Sequence, residues 1–292
     1  EDSNRRDFTI NAIYLDINGK IFDPQLGTKD LVNNNIKFIG DPQKRIEEDY
    51  LRIIRFIRFS LEYDSSPDKS TIQAIKLNLD GIKKISKERI LSELFKILSL
   101  KNFTKINSKT ELKEIFSLIF PEFLYLERLN KLNEISLDKN LDTSIILSLI
   151  LNDNKNNHEY FLHKYNISTN LKDKLQLFAK NFKNLQDNNK FLNKDLKKNV
   201  FYFGKDHLFG LNMLKFSCDK KIKSQQYFKI LKDIEDISLP KFPIDGNYLK
   251  KRGVDEGVLM GKILKNLEIL WLNNDFKISD KQITKIINEY KI

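Results

Sequence analysis

The chain has 292 residues and a formal net charge of +11, and 40% of its residues are hydrophobic and 31% charged. This balance is typical of a globular protein with a core and excludes the intrinsically disordered class, and the length allows two or more domains. No apolar run approaches the roughly 20 residues that cross a bilayer. A strong positive charge favours a polyanionic partner such as a nucleic acid.

Cysteine and histidine usage argues against an internal disulfide or a metal site. Cys218 is the single cysteine. The three histidines, His158, His163 and His207, have no cysteine partners at zinc spacing. The sequence shows no charged-then-apolar leader, so we expect a cytoplasmic protein, with no membrane and no protein partner implied.

The predicted elements begin with a β-hairpin. Residues 8–15 are rich in β-branched and aromatic side chains, and Asn18-Gly19 is a hairpin turn signal before a second strand at 20–22. Turn residues follow from Asp23-Pro24, and the pattern becomes helical after Asp41-Pro42. We therefore predict a small β edge and then a helical body.

Apolar residues at intervals of three and four predict one amphipathic helix over 46–61. Further helices are expected around 69–79, 87–99, 108–119, 121–135, 141–151, 170–185, 190–202, 221–236 and 256–272.

The arginines are concentrated near the start of the chain. Six of the nine lie within the first 60 residues: Arg5, Arg6, Arg45, Arg52, Arg55 and Arg58. Guanidinium groups are preferred over ammonium groups where phosphates or base edges are bound by paired hydrogen bonds. We expect a ligand site in this part of the chain.

Asp49 and Arg52 are three apart on the predicted helix, so their side chains should emerge as neighbours. A carboxylate accepts hydrogen bonds and a guanidinium donates them. Together they can face the edge of cytosine or adenine, whereas uracil and guanine would turn a carbonyl oxygen toward the carboxylate. The alternative is a simple ion pair on the helix surface.

Three segments occur in one order and spacing: Arg5-Arg6-Asp7, Asp23-Pro24-x-x-Gly27-x-x-Asp30, and Glu48-Asp49-x-x-Arg52-x-x-Arg55-x-x-Arg58. They resemble the motifs of class II nucleotidyltransferases, which include the bacterial CCA-adding enzymes and bacterial poly(A) polymerases. The resemblance implies a mainly α chain: the edge of an α/β nucleotidyltransferase head at 1–35, a neck that recognises the nucleotide base at 36–104, a helical body at 105–238 and a tRNA-binding tail at 239–292.

The same resemblance implies residue roles. Arg6 would bind the nucleotide, Asp7 and Asn11 would lie beside its ribose, and Asp49 and Arg52 would read the base. Arg55 and Arg58 would make further nucleotide contacts, although either could instead pair with Glu48 or Glu62. Glu88, Arg89 and Glu93 would brace the neck. Gly246, Gly253, Gly257 and Gly261 are similar to the glycines of the family tail, and spacings of four predict a packing face of one helix.

In this family a glycine-rich turn and an Asp-x-Asp pair that holds two Mg²⁺ ions precede the Arg-Arg-Asp segment. Residues 1–292 contain no Asp-x-Asp. We therefore expect no catalytic or metal-binding residue within this chain, which would be a fragment of the enzyme. The implied activity is addition of C, C and A to the tRNA 3′ end from CTP and ATP. A bacterial poly(A) polymerase and a non-catalytic RNA-binding module are the alternatives.

Overall fold

The computed structural model describes residues 2–135, 141–153, 155–187 and 190–290. The chain forms two compact units, one of residues 1–189 and 209–231 and the other of residues 190–208 and 232–292. The predicted boundaries between head, neck, body and tail stay predictions. Within the described residues no helix is both long and apolar enough to cross a bilayer.

The predicted hairpin is present but its first strand is shorter than expected. β1 (Tyr14–Leu15) pairs antiparallel with β2 (Ile21–Phe22), and Gly19 supplies the positive φ of 80° that the turn requires. Residues Thr9–Ala12 form a 3-10 helix instead of a strand. The reason is local, because the Asp7 carboxylate accepts hydrogen bonds from the Phe8 N–H and the Asn11 side chain and tightens the backbone there.

Most of the rest of the described chain is helical, and its α-helices are α1 (Gly27–Val32), α2 (Pro42–Glu48), α3 (Leu51–Glu62), α4 (Lys69–Asn78), α5 (Lys87–Leu98), α6 (Thr110–Ile119), α7 (Leu129–Leu132), α8 (Thr143–Leu151), α9 (Asn157–Tyr165), α10 (Thr169–Asp187), α11 (Leu196–Phe203), α12 (Lys205–Cys218), α13 (Ser224–Asp236), α14 (Gly246–Lys250), α15 (Val258–Asn273) and α16 (Asp280–Glu289). The mainly α prediction is confirmed.

Two predicted helices are interrupted, and five helices of the described residues were not predicted. The helix expected over 46–61 is split into α2 and α3, and the one expected over 121–135 is reduced to a 3-10 turn and the short α7. The unpredicted helices are α1, which lies where turn residues were expected, and α9, α12, α14 and α16. Gly210 weakens the helical pattern of α12, because glycine is a poor helix former. Close packing requires glycine there, since a Cβ atom at position 210 would lie 2.6 Å from the Phe178 ring.

In the first unit, α3 is the central element of the region near the chain start. It packs against α5, and α2 packs against α4. Phe8 lies 4.8 Å from Phe38 and 5.4 Å from Phe59 between ring centroids, and Phe38 stacks on Phe56 at 5.8 Å. These buried aromatic contacts hold the amino-terminal segment against α3.

The second unit contains its own core. This core consists of Ile244, Leu249, Val254, Met260, Ile263, Leu267, Ile283 and Ile287. The prediction of a glycine face on one helix is wrong, because Gly253 lies in a turn with φ 74° and Gly257 caps α15 with φ 148°. Their function is conformational: they adopt backbone angles that other residues rarely adopt.

Candidate functional site

The helical conformation is interrupted between α2 and α3 at Asp49, the residue expected to read the base. We call this interruption, formed by Asp49 and Tyr50, the break. α2 ends at Glu48, α3 begins at Leu51, and Asp49 has an extended backbone with φ −154° and ψ 104°. Its carboxylate accepts a hydrogen bond from the Leu51 N–H at 3.1 Å and so satisfies a free donor at the start of α3. The prediction that Asp49 and Arg52 share one helical face is therefore wrong.

Tyr50 occupies the break and packs against a glycine. A Cβ atom at position 81 would lie 2.0 Å from Cδ1 of the Tyr50 ring. Lys84 lies on the same ring, with Nζ 5.4 Å from its centroid. Gly81 belongs to the 3-10 helix Leu79–Lys84, and this segment therefore supports the backbone beside Asp49.

The Asp49 carboxylate is paired with Arg89 rather than Arg52. Nη2 of Arg89 donates to Oδ2 of Asp49 at 2.7 Å. The Asp49 side chain is 33% exposed and that of Arg89 is 52% exposed. An acceptor and a donor therefore lie side by side at a surface that a ligand can reach.

Arg52 is anchored to α2. Its Nη1 donates at 2.6 Å to the Arg45 carbonyl oxygen and at 2.6 Å to a carboxylate oxygen of Glu48. Glu48 also accepts from Arg45 at 2.6 Å, and hydrogen bonds from Arg52 and Arg45 hold the pKa of the Glu48 carboxyl below its usual value. The structure thus brings Arg52 next to the break but fixes its guanidinium to Glu48.

Asp7, Asn11 and Arg55, which were predicted to contact the nucleotide at separate points, lie together in the structure. Nε of Arg55 lies 2.6 Å from Oδ2 of Asp7, and the Asn11 amide donates to Oδ1 at 2.8 Å. Burial of Asp7 opposes ionisation, but the Asn11 hydrogen bond and the Arg55 charge outweigh it and lower the pKa of Asp7. Asp7 is therefore a carboxylate at neutral pH.

Arg58 points to Glu93 in α5. Its Nε donates to Glu93 at 2.9 Å, and the guanidinium carbon lies 3.9 Å from the centroid of the Phe59 ring. Glu93 is buried and also accepts from Lys96 at 2.7 Å. Although burial raises the pKa of Glu93, Lys96 and Arg58 lower it overall below the usual value. The contact between Glu93 and Arg58 joins α5 to α3, and the bracing of the neck by Glu93 stays a prediction.

The two remaining predicted residues lie at the surface. Arg6 is half-exposed and pairs with Asp2 at 3.0 Å, while its backbone carbonyl accepts a hydrogen bond from Arg45. Glu88 is exposed in the first turn of α5.

Sequence reasoning missed the connections made by Arg45 and Arg89. Arg45 donates hydrogen bonds to Glu48 and to the backbone carbonyl of Arg6, which is 39 residues earlier in the chain. Arg89 donates to Asp49, which is 40 residues earlier. No local pattern signals contacts over such separations. The concentration of arginines was the available signal for Arg45.

The acidic side chains near the site are engaged by arginines, and the described residues contain no group of three or more His, Cys, Asp or Glu side chains placed to hold a metal ion. The residues present therefore do not fit Mg²⁺.

Burial lowers the pKa of His158, and it lowers that of His207 to about 4, so both side chains are neutral at pH 7.

Two family models match this chain. One, described as "Poly A polymerase head domain", matches residues 1–37, and another, described as "Probable RNA and SrmB- binding site of polymerase A", matches residues 66–126. The first match contains Asp7 and Asn11, and the second contains α5 with Arg89 and Glu93.

Relatives that match nearly the whole chain are CCA-adding enzymes. The CCA-adding enzyme of Limosilactobacillus reuteri (strain DSM 20016) is 30% identical over 283 residues, which cover 94% of this chain and 68% of the relative. The chain belongs to the CCA-adding enzyme family. The "CCA tRNA nucleotidyltransferase 1, mitochondrial" of Mus musculus is 28% identical over 99% of this chain and 66% of the relative. The chain thus spans about two thirds of the length of these family members.

A solved structure of a family member shares the fold. The Bacillus stearothermophilus CCA-adding enzyme in complex with CTP superposes with a TM-score of 0.68 at 19% identity, covering 100% of this chain and 74% of that one. This likeness confirms the predicted combination of a nucleotidyltransferase head edge and a helical body.

Proposed function

We propose that the full-length protein adds C, C and A to the 3′ end of tRNA from CTP and ATP, and that this chain supplies the residues that select the nucleotide base. The observation that carries the proposal is the partly exposed Asp49 carboxylate, which lies beside the guanidinium of Arg89 and two residues before the start of α3, the helix of Arg52. Membership of the CCA-adding family supports the reaction class.

Base selection follows from hydrogen-bond chemistry. The Asp49 carboxylate accepts from the amino group of cytosine or adenine, and a guanidinium donates to the neighbouring ring nitrogen. Uracil and guanine would place a carbonyl oxygen against the carboxylate, and an unpaired polar contact of this kind costs about 1–3 kcal/mol. The hydrogen bonds of Arg52 to Arg45 and Glu48 both use Nη1, so the N–H donors of Nη2 and Nε would be the ones that face a base.

The remaining site residues orient the nucleotide in this proposal. Asp7 and Asn11 would lie beside the ribose, and Arg6, Arg55 and Arg58 would face its phosphates, where guanidinium groups bind well. Arg6 is the most accessible of these three, whereas Arg55 and Arg58 are already engaged with Asp7 and Glu93. Two Mg²⁺ ions would be bound by carboxylates outside these 292 residues.

The proposed macromolecular partner is tRNA. The net charge of +11 suits a polyphosphate, and the family model over residues 66–126 is described as an RNA-binding site. We also propose that the protein acts in the cytoplasm.

One assay separates the candidate functions. Full-length protein is incubated with tRNA lacking its CCA end and all four nucleotides, and the added residues are sequenced. Addition of C, C and A supports the proposal, a run of A indicates a poly(A) polymerase, and tRNA binding without extension indicates an RNA-binding module. The 292-residue chain alone should bind tRNA without extending it, and Mg²⁺-dependent extension by that chain would contradict the assignment of the metal ligands.

A further inference from the structure

We propose that Arg89 is a positioning residue that determines nucleotide choice by holding the Asp49 carboxylate in the orientation that reads the base. The proposal rests on the proposed function, because it concerns the same site. Its structural basis is the 2.7 Å contact between Nη2 of Arg89 and Oδ2 of Asp49.

Asp49 needs an external support because of its place in the chain. Its backbone is extended between α2 and α3, so it lacks the helical geometry that would fix the direction of its side chain. Two hydrogen bonds orient the carboxylate: the Leu51 N–H donates to Oδ1 and Arg89 donates to Oδ2. Without Arg89, a single hydrogen bond remains, and the carboxylate can rotate about its terminal torsion.

The contact leaves the carboxylate able to bind a nucleotide. Two carboxylate oxygens offer about four acceptor positions, and the Leu51 N–H and Arg89 occupy two of them. The Asp49 side chain is 33% exposed, so an incoming amino group can approach a remaining position.

Arg89 is carried by a well-supported element. It lies in the first turn of α5, where its N–H donates to the Ser86 side chain at 3.4 Å. α5 packs against α3, the helix that carries Arg52. The position of the Arg89 backbone relative to the base-reading pair is therefore set by helix packing, which is the support that an oriented binding group requires.

A role in selectivity differs measurably from a role in folding. An ion pair with this much exposure contributes at most about 1 kcal/mol to stability. If that were its only role, replacing Arg89 would lower the melting temperature slightly and would change kcat/KM for all four nucleotides by similar factors.

The test uses the full-length protein with tRNA lacking its CCA end, and kcat/KM is measured separately for CTP, UTP, ATP and GTP. Arg89→Ala should lower the CTP to UTP ratio by about tenfold, within the range of a lost base-reading contact. Arg89→Lys should recover part of the ratio, because an ammonium keeps the charge but not the planar fork. Arg89→Ala combined with Asp49→Ala should be no less selective than Asp49→Ala alone, because Arg89 acts through Asp49.

Lys87→Ala is the matched control, because Lys87 is an exposed cation in the same helical turn and the described contacts show no ion pair for it. It should leave the ratio unchanged. An unchanged ratio in Arg89→Ala, or losses that add fully to those of Asp49→Ala, would overturn this inference and leave the proposed function standing. Failure of the unsubstituted protein to add C and A would overturn both.

Discussion

Nε of Arg55 in α3 lies 2.6 Å from a carboxylate oxygen of Asp7, which is 48 residues earlier in the chain. The Asp7 side chain is 9% exposed and that of Arg55 is 31% exposed, so water screens this pair only in part. Together with the edge-to-face packing of Phe8 on Phe59 of α3, the ion pair fixes the amino-terminal segment to the helix that carries Arg52. The stability of this junction should depend on the charge of Asp7.

Replacing Asp7 by Asn should destabilise the first unit at neutral pH by about 1–2 kcal/mol, because Arg55 loses its charged partner. The pKa of Asp7 is lowered on folding from an unfolded value of about 3.8. The carboxylate therefore contributes stability above pH 4, and this contribution is lost as the pH falls through the lower folded pKa. Urea unfolding at pH 7 and pH 3 should show a difference between wild type and Asp7→Asn that shrinks at pH 3.

Asp80→Asn is the control for this experiment. Asp80 pairs with Lys83 at 2.6 Å, but both side chains are almost fully exposed. Its urea midpoint should equal that of the wild type at both pH values. An Asp7→Asn difference of the same size at pH 3 as at pH 7 contradicts the assigned ion pair.

Glu93→Gln should lower the free energy of unfolding by about 2–3 kcal/mol, because the nearly buried Arg58 guanidinium would lose its buried counter-charge. Glu62→Gln provides a matched comparison: Glu62 faces the same guanidinium at 3.5 Å but is 37% exposed. We expect a loss below 1 kcal/mol for that variant. Equal losses, measured by chemical denaturation, would show that burial of Glu93 does not govern the interaction.

Asp49→Ala in the full-length protein should let UTP and GTP compete better with CTP and ATP, because the acceptor that opposes their carbonyl oxygens is removed. Arg52→Ala should weaken the use of both correct nucleotides, by roughly 5- to 150-fold for a lost contact of about 1–3 kcal/mol. The measurement is relative kcat/KM for the four nucleotides, with thermal melts of each variant. Unchanged nucleotide selectivity in Asp49→Ala, at wild-type stability, would falsify the base-reading role.

Binding of tRNA to the 292-residue chain should weaken steeply as salt rises, since contacts to phosphates release counterions. Filter binding between about 50 and 200 mM salt should show a loss of several hundred-fold or more if six or more phosphates are contacted. A flat salt dependence would mean that phosphates do not dominate the interface, and equal binding of an unrelated protein of similar charge would mean that the family fold adds nothing.

Much of the fold could be predicted because helical periodicity and turn chemistry are local signals. The hairpin turn at Gly19 and the amphipathic patterns of α3 and α5 were readable in this way. The split at Asp49 was not, because the apolar stripe continues through it and the deciding interaction is one side-chain hydrogen bond to Leu51. Local backbone capping by an Asp side chain overrides periodicity here.

The candidate site was predictable in composition but not in pairing. Residue types and spacing indicated Asp49 and Arg52 as a donor and acceptor pair. The structure instead places Glu48 on Arg52 and Arg89 on Asp49, and these partners depend on how α2, α3 and α5 pack. Helix packing of this kind is set by the whole core, so no short stretch of sequence encodes it.

Gly81 contacts no nucleotide in the proposed site, yet a side chain added at position 81 would meet the Tyr50 ring at the break between α2 and α3. Any larger residue must displace the Tyr50 ring, and Tyr50 is bonded to Asp49. In a mutational scan selected for accurate tRNA ends, larger residues at position 81 should therefore lower the accuracy of nucleotide choice without contacting the nucleotide. The accuracy of nucleotide choice would then depend on the space that Gly81 leaves for the Tyr50 ring as well as on the charged residues of the site.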